Sequence, residues 1–276
     1  MKTVKQIYRF FRLVISRFRA DGCTTRASAL AFATLLSIVP LLTVSFSLLT
    51  AFPVFQVFAL KIQNFVFDNF VPTSAAVLQQ YLQDIVRQTS KLSAISMCFL
   101  IATAVLMVFN MEQAFNTIWH AKKQRGFLSA FLMYWAVLTL APILIGIGLV
   151  ISTYIISLPL ISVAANLLGL KKLLFYTTPY LSTLVAFTLL YLAVPNRKVL
   201  FRYALAGGAV ATLLFELAKE GFVFYITRFS IYKLVYGALA TIPIFLVWIY
   251  LSWLIILFGA VVSATLEERF EKTPPR

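Results

Sequence analysis

Six apolar stretches, each near the 20 or so residues that a helix needs to cross roughly 30 Å of hydrocarbon, leave this chain few folds to choose from. They run from about Ala29 to Phe52, Ser93 to Met111, Phe131 to Ser157, Leu173 to Val194, Tyr203 to Tyr225 and Leu239 to Thr265. In lipid every backbone N–H and C=O must find its partner within its own segment, so stretches of this length become helices. Composition agrees: 61% of residues are hydrophobic and 12% charged, with a mean hydropathy of +0.92, whereas a soluble domain is roughly half apolar and a quarter charged. The expected fold is all-α, a polytopic membrane helical bundle of six transmembrane helices forming a single domain over residues 1–276. The second stretch is the weakest, because Ala102, Thr103 and Ala104 dilute its middle. Without it the chain would have five spans and termini on opposite sides.

The placement of charge argues for six. If the segments between spans alternate sides, one side collects Lys2, Lys5, Arg9, Arg12, Arg17, Arg19 and Arg26, then Lys122, Lys123 and Arg125, then Arg197, Lys198 and Arg202, then Arg269, Lys272 and Arg276. The other collects Lys61, Arg87, Lys91, Lys171, Lys172, Arg228 and Lys233, so sixteen basic residues face seven. The positive-inside bias then puts both termini in the cytoplasm. It also accounts for the net charge of +15 without a nucleic-acid partner.

Residues 1–28 read as a cytoplasmic amphipathic segment. Val4, Ile7, Tyr8, Phe11, Val14, Ile15 and Phe18 recur at helical spacing with basic residues between them, unlike the continuous apolar core of a cleavable signal peptide. Such a helix lies on the inner leaflet with its Lys and Arg facing anionic lipids; the plainer reading is a solvated basic leader. The long outer loop from Pro53 to Leu92 has helical periodicity on both sides of Pro72, with Ser74 as a cap, and is expected to be a periplasmic helical hairpin.

Within the fifth stretch stand Glu216, Lys219 and Glu220, where a charge costs about 2.5 to 3.5 kcal/mol even on insertion scales. One helical turn puts Glu216 and Glu220 on one face with Lys219 beside them, and Thr212 extends the stripe. These groups either bind a cation, relay a proton or meet a substrate, or else they hold the bundle together through a neutralised pair and interhelical hydrogen bonds. Asn110, Gln113 and Asn116 form a second candidate polar stripe at the end of the second span, with Glu112 alongside. Pro40, Pro142 and Pro243 each interrupt a span, and Ala204, Gly207, Gly208 and Ala211 offer a small-residue surface for close helix packing.

Catalysis finds little material. The single histidine, His120, follows Trp119 at the inner interface and reads as structural; the nine acidic residues are dispersed, and Cys23 and Cys98 can build neither an exported disulfide nor a zinc site. No phosphate loop or nucleophile elbow is present. Nothing calls for a cofactor or a metal, and the chain reads as a non-enzyme.

The run Arg26, Ala27, Ser28, Ala29, Leu30, Ala31, Phe32, Ala33, Thr34, Leu35, Leu36, Ser37, Ile38, Val39, Pro40, Leu41 resembles the first-span signature of the YihY/BrkB membrane proteins. Asn110, Ala114, Asn116, Ile118 and Trp119 are similar to the end of its second span. Arg202, Gly208, Glu216, Lys219 and Tyr225 are similar to its fifth, and Tyr232, Tyr236, Gly237, Trp248, Tyr250, Gly259 and Ala260 to its last. The resemblance covers almost the whole chain in order. It implies a six-helix bacterial inner-membrane protein, of a family labelled both a virulence or serum-resistance factor and a ribonuclease, the second label at odds with the inventory above. Where the family usually has Glu after the Gly-Ala pair of the last span, this chain has Val261, so no carboxylate there couples protons. The leading function is transport or translocation of a solute or amphiphile; the alternative is a non-transporting envelope scaffold or resistance- or virulence-associated protein, and a membrane-bound ribonuclease ranks third for want of a grouped set of ligands.

Overall fold

In the computed structural model the described residues are 2–51, 94–121, 170–228 and 241–271, and they form six helices and no strand. These are α1 (Lys2–Ala20), α2 (Cys23–Ala51), α3 (Ala94–Ile118), α4 (Leu170–Ala193), α5 (Phe201–Arg228) and α6 (Thr241–Glu271). The third apolar stretch, Pro142 and the Pro53 to Leu92 hairpin lie outside the described residues. At 1.5 Å per residue, α2 to α6, with 24 to 31 residues each, are all long enough to cross hydrocarbon.

The helix boundaries have local causes. Gly22, at φ 63°, takes the left-handed conformation that stops α1, and its carbonyl accepts the amide of Arg26 to open α2. The leader helix therefore ends at Ala20, and residues 23–28 already belong to α2, the helix of the first apolar stretch. α4 stops before Pro195, whose ring disfavours helical geometry in Val194. Pro243 does not interrupt its span: it sits in the first turn of α6, where a missing N–H breaks no helical hydrogen bond.

α6 is the axis of the assembly. From Gly259 through Thr265 each residue is buried, so neighbours surround the helix there. α5 packs between α6 and α4, α2 packs on the other side of α6 and carries α3, and α1 lies across the ends of α6 and α2. Glycines set the approach of α4, α5 and α6. A Cβ on Gly207 would stand 2.5 Å from the carbonyl oxygen of Gly259 and 2.7 Å from Ser263 Cβ; one on Gly208 would meet Thr188 Oγ1 at 2.6 Å, and one on Gly259 would strike the Tyr191 hydroxyl. Ala204 and Ala211 are fully buried beside them, which is the close packing the small-residue surface predicts. Polar side chains tie further pairs: Trp253 Nε1 donates to Thr34 Oγ1 (2.9 Å), Ser37 to the Thr103 carbonyl (3.3 Å) and Tyr191 to the Ile256 carbonyl (2.8 Å).

The outside of this assembly is apolar. Leu181, Val185 and Leu189 make an exposed stripe on α4; Leu205, Leu213, Leu217 and Phe224 do so on α5, Phe32 and Leu36 on α2, and Leu106 and Phe109 on α3. Apolar surface of this extent belongs against lipid or another protein, not water. Among the described residues Pro243–Phe270 meets the combined length and hydropathy expected of a membrane span, at a mean hydropathy of 2.5.

Candidate functional site

The structure brings two of the six candidate polar residues together. Lys219 Nζ lies 2.8 Å from Glu216 Oε2, with side-chain exposures of 20% and 12%, so this i,i+3 pair is mostly shielded. Thr183 on α4 points its hydroxyl at Glu216 Oε1 across 3.5 Å, a long contact. Lys219 also stands 5.6 Å from the centre of the Phe215 ring, which packs edge-on against Phe187. The pair thus occupies the α4-facing side of α5 behind an aromatic wall. Thr212, a turn earlier, is buried and turns its hydroxyl back to the Gly208 carbonyl at 2.8 Å. Glu220 is exposed.

The second stripe divides. Asn110 and Gln113 are exposed, whereas Asn116 is half-buried: its Oδ1 accepts the backbone amide of Asn196 at 2.7 Å and its Nδ2 donates to Glu112 Oε1 at 3.4 Å. Residues at i and i+6 differ by about 120° around a helix of 3.6 residues per turn, so Asn116 reaches the interior while Asn110 stays outside. Buried Glu112 is the inward group that the i, i+3, i+6 spacing passed over.

A third constellation was not anticipated. Arg17, on the buried face of α1, donates through Nη2 to the Ile118 carbonyl (2.7 Å) and to Glu268 Oε1 (2.9 Å), while Nη1 lies 2.9 Å from Glu268 Oε2. This is a two-pronged guanidinium–carboxylate pair. Asp21 approaches Arg17 Nε at 3.6 Å. His120 completes the group: Nδ1 is 3.1 Å from Arg17 Nη2 and 3.7 Å from Glu268 Oε1, and Nε2 is 3.6 Å from Asp21 Oδ1. It reaches this place because α3 ends in a Schellman turn. The amide of Ala121 bonds to the Asn116 carbonyl (2.9 Å) and that of His120 to Thr117 (3.1 Å), with His120 at φ 48°. Just inside, fully buried Trp119 donates Nε1 to Glu267 Oε2 at 3.1 Å. The signal was faint: Arg17 follows Val14 by one turn, the position of a cation on the inward face of the leader helix.

Burial pushes the Cys23 thiol up to about 12; nearby Asp21 adds to the rise, against Arg26 and Arg17. That thiol is inert at neutral pH. Among the described residues no group of three or more His, Cys, Asp or Glu is arranged to hold a metal ion.

Described residues that are all helical, a lipid-type exterior and a shielded ion pair within a span-length helix define a helical membrane protein, and its relatives are named membrane proteins. Residues 14–276 match the family model described as virulence factor BrkB. The chain belongs to this BrkB family. It is 47% identical over 255 residues to a UPF0761 membrane protein of Legionella pneumophila, covering 92% of this chain and 61% of the relative. The UPF0761 membrane protein of Chromohalobacter salexigens is 44% identical over 263 residues, 95% of this chain and 64% of its own length. That of Aeromonas salmonicida is also 44% identical over 263 residues and is covered to 90%. The chain thus spans less than two thirds of the first two. No solved structure matches it.

Proposed function

We propose that the protein crosses the bacterial inner membrane six times, with both termini cytoplasmic, and translocates a solute or amphiphile, the Glu216–Lys219 pair being its intramembrane polar element. The carrying observation is that pair: a shielded carboxylate and ammonium 2.8 Å apart inside a helix whose exposed side carries Leu205, Leu213, Leu217 and Phe224. Ionisable groups at such depth mark substrate or proton pathways more often than ornament. The topology draws support from the third constellation. Residues from the leader, the end of α3, the α4–α5 turn and the end of α6 meet at one end through Arg17, Asn116, Asn196 and Glu268, which are the segments that the charge asymmetry assigns to the cytoplasm. At that end Tyr8, Phe11 and Ile15 of α1 are exposed beside Arg9, Arg12 and Arg19, a face suited to anionic inner-leaflet lipid. Asn110 and Gln113 would sit at the same interface. We assign no nuclease chemistry to the chain: Asp21 and Glu268 are engaged with Arg17.

A second reading, an envelope scaffold, draws on the neutrality of the pair, since Glu216 and Lys219 satisfy each other. Glu216→Gln separates the two. Under the translocation reading the variant inserts and accumulates normally yet fails to complement a deletion phenotype; full complementation by a normally accumulating variant would make the pair structural only.

A further inference from the structure

Between the second half of α5 and the first half of α6 lies a cleft of about 650 Å³, lined by apolar side chains including Leu217, Phe222, Val247 and Leu251, together with Tyr225 and Pro243. That volume falls within the roughly 300–1,000 Å³ of ligand pockets. We propose that this cleft binds one acyl chain of an anionic phospholipid, with the lipid phosphate at Arg228.

Three observations converge. The first is Gly221, in the cleft wall. Glycine inside a helix costs about 1 kcal/mol relative to alanine, and at Gly207, Gly208 and Gly259 a neighbouring helix requires it. At Gly221 a Cβ would meet nothing within 4 Å. Its missing side chain widens the cleft instead of admitting a helix. The second is charge. Arg228 follows Gly221 by seven residues and Tyr225 by three, so it continues the cleft-facing side of α5. Its guanidinium is exposed and lies 5.8 Å from the centre of the Phe224 ring, and among the described residues no carboxylate lines the cleft. An apolar slot ending in a cation matches an anionic lipid: chain below, phosphate above. The third is position. The Glu216–Lys219 pair faces α4, on the other side of α5, so that pair does not compete with Arg228 for a lipid phosphate.

The proposal rests on the membrane placement above, but its test is independent of translocation. The protein is purified in detergent, mixed with equal amounts of phosphatidylglycerol and phosphatidylcholine of identical chains, and its retained lipid counted by native mass spectrometry. The wild type should keep one phosphatidylglycerol in preference. Gly221→Leu, which fills the slot, should lower retention of both lipids about tenfold, the equivalent of about two methylene groups losing their burial. Arg228→Ala should keep the chain but lose about fivefold of the headgroup preference. Val247→Phe narrows the slot from the α6 side and serves if Gly221→Leu folds poorly. Wild-type retention in a folded slot-filling variant, or an unchanged preference in Arg228→Ala, would overturn the proposal. So would a Gly221→Leu protein that melts earlier while its lipid count stays the same, since the slot would then be filled by the chain itself. Failure here leaves the Glu216→Gln outcome untouched, and the reverse also holds.

Discussion

The two halves of α5 use glycine in opposite ways. In the first half Gly207 and Gly208 let α6 and α4 approach until backbone meets side chain, with Gly259 answering from α6. In the second half Gly221 faces empty space, and the wall around it is a slot. The same residue type therefore marks a tight seam at one end of the helix and an opening at the other, and Glu216 and Lys219 stand between the two. The difference is one of surroundings, since glycine's cost in helix propensity is about the same in both places.

Substitutions of opposite sign would break or sharpen this contrast. The largest effect is expected between the halves. Lys219→Ala strands a shielded Glu216, and breaking a buried pair typically costs about 3–5 kcal/mol; with Lys219 keeping 20% exposure the low end is expected, read as a lowered melting temperature and folded yield in detergent. Glu216→Gln should be milder, because the amide still hydrogen-bonds. Next comes the seam: Gly207→Ala must push apart α5 and α6, and overpacking of this kind costs about 1–3 kcal/mol. Gly221→Ala should instead stabilise by about 0.5–1 kcal/mol, since helix propensity improves and nothing is struck. A destabilised Gly221→Ala protein would show that the second half is as tightly packed as the first.

The smallest effect at neutral pH concerns Cys23, at the start of α2. Its folded-state thiol, near 12 against an ordinary 9.0, holds its proton more tightly than in the unfolded chain. Its contribution is whole below about pH 9 and is lost as pH rises toward 12. On a Cys98→Ser background, maleimide should therefore label the folded protein at pH 7.5 far more slowly than the denatured one.

Much of the frame was legible because membrane helices write themselves as long apolar runs: α2 to α6 each overlap an expected span, and the Ala204 to Ala211 surface packs as its side chains suggest. The candidate site was legible in part. Glu216 and Lys219 pair because i,i+3 spacing is a local property. The Arg17, Asp21, His120 and Glu268 group spans 251 positions of sequence from Arg17 to Glu268, and no local periodicity announces which end of α6 meets which face of α1. The Asn110 stripe divides for a geometric reason, as a repeat of three drifts around a helix of 3.6 residues per turn. Gly221 could not be told from Gly207 at all, since only the neighbour distinguishes them.

The central claim is the orientation of α5 and α6, with the glycine seam at the cytoplasmic end and the slot toward the outside. Reporter fusions test it most directly. Alkaline phosphatase fused after Arg228 should be active and the same enzyme after Arg276 inactive, while a cytoplasm-dependent fluorescent reporter should give the reverse pattern. Phosphatase activity after Arg276 together with fluorescence after Arg228 would contradict the account.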